Sequence, residues 1–103
     1  MSSPDLARAF KALGNDHRLT IMRQLLAGEE QLEEPEDERT IVQSQELAEE
    51  LPIDHSTICY HLRVMVDAGL LNRSNHGPSS SYWIDRDRIA DLNDVLSLSR
   101  NGP

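Results

Sequence analysis

The side chains with the greatest chemical reach in this 103-residue chain stand together: His55, Ser56, Thr57, Cys59, Tyr60 and Arg63. They bring imidazole, hydroxyl, thiol, phenol and guanidinium groups into about three helical turns. Three chemistries could use such a set. Nucleophilic catalysis needs a nucleophile, a base and a group that orients the base, and that combination is missing. Metal ligation needs three or four donors facing one point. Only His55 and Cys59, at i and i+4, share a face, so no metal site is expected. Hydrogen bonding to base edges and phosphates needs polar groups along the exposed side of a helix. Ser56, Tyr60 and Arg63 meet that need, with His55, Thr57 and Cys59 on the flanks. The chain also lacks a phosphate-cradling glycine loop and a zinc-protease motif, so no enzyme activity and no cofactor are expected.

The elements that must position these groups are legible around them. Residues 44–69 read as helix, tight turn and longer helix. Ser44 is a good N-cap with Glu46 in the first turn, where the helix dipole favours an acid. Leu47, Ala48 and Leu51 form that helix's apolar stripe, and Pro52 prevents simple continuation. Asp54 caps the second helix, with Ile53 and Ile58 at the spacing of a hydrophobic staple. Gly69 closes it as the residue beyond the C-cap, followed by Leu70 as its apolar partner. At 100° per residue, Ile58, Leu62, Met65 and Val66 share one side, while Ser56, Tyr60, Arg63 and Asp67 share the other. A free cysteine on the flank reads first as a small packing residue and second as a redox switch. His61, beside Leu62, reads as a hydrogen-bonded structural residue.

Upstream, Ser3 and Pro4 start a helix with Leu6, Ala9, Phe10 and Leu13 at i, i+3, i+4 and i+7, and Gly14 ends it. Asn15 or Asp16 caps the next helix, with Leu19, Met22, Leu25 and Leu26 on the buried side and Gly28 at the end. Arg18, in its first turn, suits either a structural or a phosphate-facing role. Residues 29–39 are dense in acid and interrupted by Pro35, so they read as a solvated, mobile loop. Their alternative use is to dock a basic protein partner. Thr40–Gln43 reads as a short strand. Downstream, the segments around 70–74 and 80–84 flank the turn formers Gly77 and Pro78, giving a β-hairpin over 70–84. Arg73 and His76 lie where such a hairpin could touch phosphate. Tyr82 and Trp83 face opposite sides of their strand. Asp85 or Asp87 caps a last helix over 85–99, with Ile89, Leu92, Val95 and Leu96 on one stripe.

Composition sets the limits. A chain of this length is one domain, here 1–103. No apolar run approaches a membrane span, and the first residues carry neither basic start nor apolar stretch, so a cytoplasmic protein without membrane contact is expected. The net charge is −8, which opposes DNA binding at first sight. The charge is uneven, however: residues 29–50 hold ten acids and one base. Residues 55–84 hold Arg63 and Arg73 against Asp67 alone. That weakly basic footprint implies modest, salt-sensitive affinity.

Three stretches carry a family resemblance. They are Phe10-Lys-Ala-Leu-Gly-Asn-Asp-His-Arg-Leu-Thr-Ile-Met, Glu46-Leu-Ala-Glu-Glu-Leu, and Ser56-Thr-Ile-Cys-Tyr-His-Leu-Arg-Val-Met-Val-Asp-Ala-Gly-Leu-Leu, followed by Tyr82 closing a hairpin. In this order, residues 6–92 resemble the bacterial and archaeal ArsR/SmtB family of winged-helix regulators. The resemblance implies a mainly α, winged helix-turn-helix fold of about five helices, a two-stranded wing and a short third strand. It also implies a transcriptional regulator, by default a repressor. Such a protein would bind double-stranded DNA at an inverted repeat as a homodimer. Dimer contacts would fall on the terminal helices, through Leu6, Phe10, Ile89, Leu92, Val95 and Leu96. The family's arsenic-type members carry paired cysteines in the helix matching 45–51, and this chain has none there. Its zinc- and nickel-type members use histidines on the last helix, and residues 88–103 contain none. The usual metal-sensing sites are therefore expected to be missing.

Overall fold

The computed structural model describes residues 2–30, 42, 43, 47, 49–76 and 79–97. Four helices and three strands are delimited among them: α1 (Ser3–Leu13), α2 (Asp16–Glu30), β1 (Val42–Gln43), α3 (His55–Asp67), β2 (Leu71–His76), β3 (Ser79–Ile84) and α4 (Arg86–Leu96). Leu47, Glu49 and Glu50 are also helical, where the first helix of the helix-turn-helix is expected. Its expected cap, Ser44, lies outside the described residues, as do most of the acidic loop and the turn at Gly77 and Pro78. The architecture is mainly helical with an antiparallel hairpin, as expected.

Local chemistry sets the helix ends. Ser2, one residue earlier than expected, caps α1: its Oγ accepts from the Asp5 amide at 3.3 Å and donates to the Asp5 carboxylate at 2.8 Å. This reciprocal pairing satisfies an amide that the first turn leaves open. Gly14 ends α1 with its N–H on the Lys11 carbonyl at 3.1 Å. Asn15 then caps α2 by accepting from the Arg18 amide at 3.2 Å. Asp85 caps α4 in the same way, accepting from the Arg88 amide at 3.1 Å.

The core joins the helices to the sheet. Its fully buried large side chains are Ile21, Leu25, Leu47, Ile58, Leu62, Met65 and Leu70. In α2 the buried side is Ile21, Met22 and Leu25, whereas Leu19 is 44% exposed. Positions 19 and 21 differ by two residues, about 200° of helix rotation, so one face cannot hold both. Nor does α2 stop at Gly28; it runs on to Glu30, since a glycine near a helix end costs only about 1 kcal/mol.

The sheet order is β1-β3-β2, antiparallel throughout. The short third strand thus pairs on the outer side of β3, with Val42 opposite Tyr82 and Gln43 opposite Ser81. Tyr82 is buried and Trp83 half-buried, the division that strand alternation requires.

Candidate nucleic-acid interface

Helix α3 is fastened at both ends. Asp54 precedes it in extended conformation, and the Asp54 carbonyl accepts from the Ile58 amide at 3.0 Å. The Asp54 side chain does not cap the helix amides. Instead it accepts a hydrogen bond from the Ser56 hydroxyl. That bond is the first cause holding the Asp54 carboxyl below its ordinary 3.8. Ile53, just ahead of Asp54, is half-buried against the core that also holds Ile58, as the staple spacing requires. At the far end, the Gly69 N–H reaches the Val66 carbonyl and the Leu70 N–H reaches the Met65 carbonyl, both at 2.9 Å. These are the two crossed bonds of a Schellman close. Gly69 adopts φ +81° there, a conformation that disfavours any Cβ.

Between these fastenings the helix divides as its periodicity demands. Ile58, His61, Leu62 and Met65 are buried. His55, Ser56, Tyr60, Arg63 and Asp67 are exposed, with Thr57 and Cys59 half-buried on the flanks. Tyr60 is 54% exposed although it is among the largest side chains present. Cys59 Sγ lies 3.7 Å from His55 Nε2. Among the described residues no group of three or more His, Cys, Asp or Glu could hold a metal ion.

Arg73 projects from β2 and is exposed. It shares with Arg63 a polar groove of about 630 Å³ between the end of α3 and the wing. Asp67, Asp85 and Arg88 also line this groove. Arg88 was not legible as part of it, because its position in α4 reads as ordinary helix surface between two acids. The clue lies at Gly69, where a Cβ would stand 2.7 Å from Arg88 Nη1; the bare glycine is what lets Arg88 lie close. His76 ends β2 opposite Ser79, and its side chain lies outside the described residues.

Arg18 takes the structural role of the two open to it. Its Nε donates to the Ala12 carbonyl, and its Nη1 lies 3.1 Å from His61 Nδ1. Arginine can only donate, so His61 Nδ1 accepts and the ring proton sits on Nε2. The guanidinium thus ties the end of α1 to the buried side of α3. Burial, then the charges of Arg18 and His17, push the His61 pKa below its ordinary 6.5.

The residues expected at a dimer contact separate into two groups. Leu92 is buried in the protomer's own core and so is not free for a partner, a correction to the expected stripe. The cause is rotation: Leu92 faces inward, and the exposed apolar surface of α4 falls on Val95 and Leu96, 56% and 68% exposed. Leu6, Phe10 and Ile89 are half-buried against the core, and α1 packs on α4.

A helical turn ahead of α3, a capped helix with a polar outer side, and a hairpin beside its end define a winged helix-turn-helix. A helix-turn-helix domain family matches residues 13–74, and the chain belongs to that family, which is not an enzyme family. Solved structures agree in fold. An ArsR-like transcriptional regulator from Rhodococcus sp. RHA1 is 22% identical, covering 90% of this chain and 76% of its own, with a TM-score of 0.69. A second ArsR family transcriptional regulator is 16% identical, covering 93% and 87%, at 0.72. A possible transcriptional regulator for arsenical resistance is 22% identical, covering 85% and 79%, at 0.67. The fold is thus the ArsR-type winged helix-turn-helix. A comparison with curated proteins finds no match. Among the described residues no helix is long and apolar enough to cross a membrane.

Proposed function

We propose that the protein is a DNA-binding transcriptional regulator, by default a repressor, that grips an inverted repeat as a homodimer. The observation that carries this reading is the exposed side of α3. A phenol and a guanidinium, Tyr60 and Arg63, stand outward on a helix whose opposite side buries Ile58, His61, Leu62 and Met65. Ser56 and Thr57 lie at the helix start and reach base edges, while Arg63 and Arg73, lining one groove, take phosphates on either side. His55, Cys59 and His76 complete the contact surface. Dimerisation runs through Val95 and Leu96 of α4, with Leu6, Phe10 and Ile89 at the margin. A two-fold arrangement sets the two recognition helices about 34 Å apart, one turn of B-DNA. The regulator works without the family's usual metal-sensing sites.

The test is selection from random duplexes at two salt concentrations, followed by anisotropy titration with and without zinc, nickel and copper. The expected winner is an inverted repeat. Tyr60→Ala should weaken it by about tenfold or more, since one good base contact is worth about 1–3 kcal/mol, and Arg63→Ala should weaken all duplexes alike and flatten the salt dependence by about one unit of slope. No enrichment of any sequence, with binding that simply fades as salt rises, would sink the proposal. A metal effect on binding would overturn the claim that the regulator lacks the usual sensor sites.

A further inference from the structure

A second groove lies beside the DNA-facing side, between α1 and α3. Its volume is about 260 Å³. Ala12, Val64 and Ala68 form an apolar floor, while Arg8, Lys11 and Arg18 stand around it against a single acid, Asp67. Three cations facing one carboxylate contrast with a chain whose net charge is −8. Helix α1 supplies two of them because Arg8 and Lys11 fall at i and i+3, beside Ala12 on the same side. The small side chains Ala12 and Ala68 are each 5% exposed. Arg18 is held in place by its bonds to the Ala12 carbonyl and His61, so one of the three charges is fixed before any ligand arrives.

We infer that this groove binds a small amphipathic carboxylate, apolar body on the alanine–valine floor and carboxylate among Arg8, Lys11 and Arg18. The apolar floor excludes a bare inorganic anion as the best ligand, and the cations exclude a neutral or basic one. At about 260 Å³ the space is smaller than most drug-sized sites, which suits about a dozen non-hydrogen atoms. The groove borders the recognition helix: Val64 lies one turn beyond Tyr60, and Asp67 one turn beyond Arg63. An occupant would add negative charge beside the arginines proposed to take phosphates. It would therefore lower DNA affinity. This last step rests on the DNA-binding reading; the binding step does not.

The experiment uses the full chain, labelled with ¹⁵N, titrated with octanoate and with 3-phenylpropionate. Octylamine, octanol and acetate serve as controls. Saturable shifts centred on Ala12, Val64, Asp67 and Ala68, with the controls at least about tenfold weaker, are expected from the loss of one charge pair or of the apolar body. Arg8→Glu combined with Lys11→Glu, both exposed and so compatible with folding, should weaken octanoate at least about tenfold. Asp67→Asn should tighten it. Equal binding of octylamine and octanoate, or no saturable shift with either carboxylate, would overturn the inference. The selected duplex is then titrated with and without octanoate. Weaker DNA binding is expected, and unchanged DNA binding at saturating octanoate would overturn the regulatory step. Should no duplex be selected at all, the DNA-binding reading fails while the shifts still decide the groove.

Discussion

Replacing Arg18 by alanine should destabilise the fold far more than a half-exposed arginine would suggest. The side chain makes two hydrogen bonds, one to the Ala12 carbonyl and one to His61 Nδ1. A bond from a charged donor is worth about 1.5–3 kcal/mol. Arg18 is only half-buried, so solvent weakens part of each bond. Its partners are not accessible, since Ala12 and His61 are each 5% exposed, and neither is readily rehydrated once the guanidinium is gone. The expected loss is therefore about 3 kcal/mol, the low end of the sum of two such bonds. For a chain of this length that is a Tm lower by about 12 °C, measured at fixed concentration because a dimer's stability depends on it. Arg18→Lys should recover about half, since an ammonium reaches one partner but not both. The same pair sets a pH dependence. The His61 pKa is lowered in the folded chain, so the unfolded chain binds more protons as pH falls below 6.5. Stability is then complete above that pH and declines as acid is added through the folded value. His61→Phe should remove the slope, and Arg18→Ala should shrink it. Urea melts from pH 4.5 to 8 would read both. A Tm drop below about 3 °C for Arg18→Ala, or strict additivity of Arg18→Ala with His61→Phe, would refute the brace.

Three further outcomes follow from the packing. Leu62→Ala should cost about 3 kcal/mol, read from denaturant midpoints, because Leu62 is fully buried and its neighbours cannot close the cavity. Gly69→Ala should cost about 1 kcal/mol for a side chain at φ +81°, with Arg88 swinging aside to make room. An Arg88→Ala background should leave that backbone cost unchanged. Val95→Asp with Leu96→Asp should leave the protomer folded by circular dichroism, since both are exposed, yet abolish the proposed dimer in sedimentation.

The sequence disclosed the helix-turn-helix well because several independent local signals agree there. The Ile53–Ile58 staple, the Gly69 close and the apolar stripe of α3 each demand the same register, and a helix shifted by one residue would break all three. Helix α2 was harder. Its apolar residues at 19, 21, 22, 25 and 26 permit two stripes, and periodicity alone favoured the one containing Leu19. Packing against α3 chose the one with Ile21. Arg88 was illegible for a different reason: its place in the wing groove depends on the approach of α4 to Gly69, a long-range contact with no local mark. Leu92 shows the same limit, since the apolar stripe of α4 looks equally suited to its own core and to a partner's.

The division of α3 also explains how so acidic a chain can carry a DNA-binding surface. Electrostatic attraction to a duplex acts over about a Debye length, roughly 8–10 Å at physiological salt. Acids at 29–38 therefore matter only where they come that close to the phosphates. What acts at contact range is the local set, Arg63, Arg73 and Arg88 against Asp67 and Asp85. That set is barely positive, so phosphate contacts alone supply little affinity. On the proposed reading, base contacts from the exposed side of α3 supply the rest, which makes the surface selective before it makes it tight. An anion placed in the α1–α3 groove acts on the same thin margin. With so few cations facing the duplex, one added negative charge is a large fraction of the available attraction. In a strongly basic winged helix the same charge would pass unnoticed.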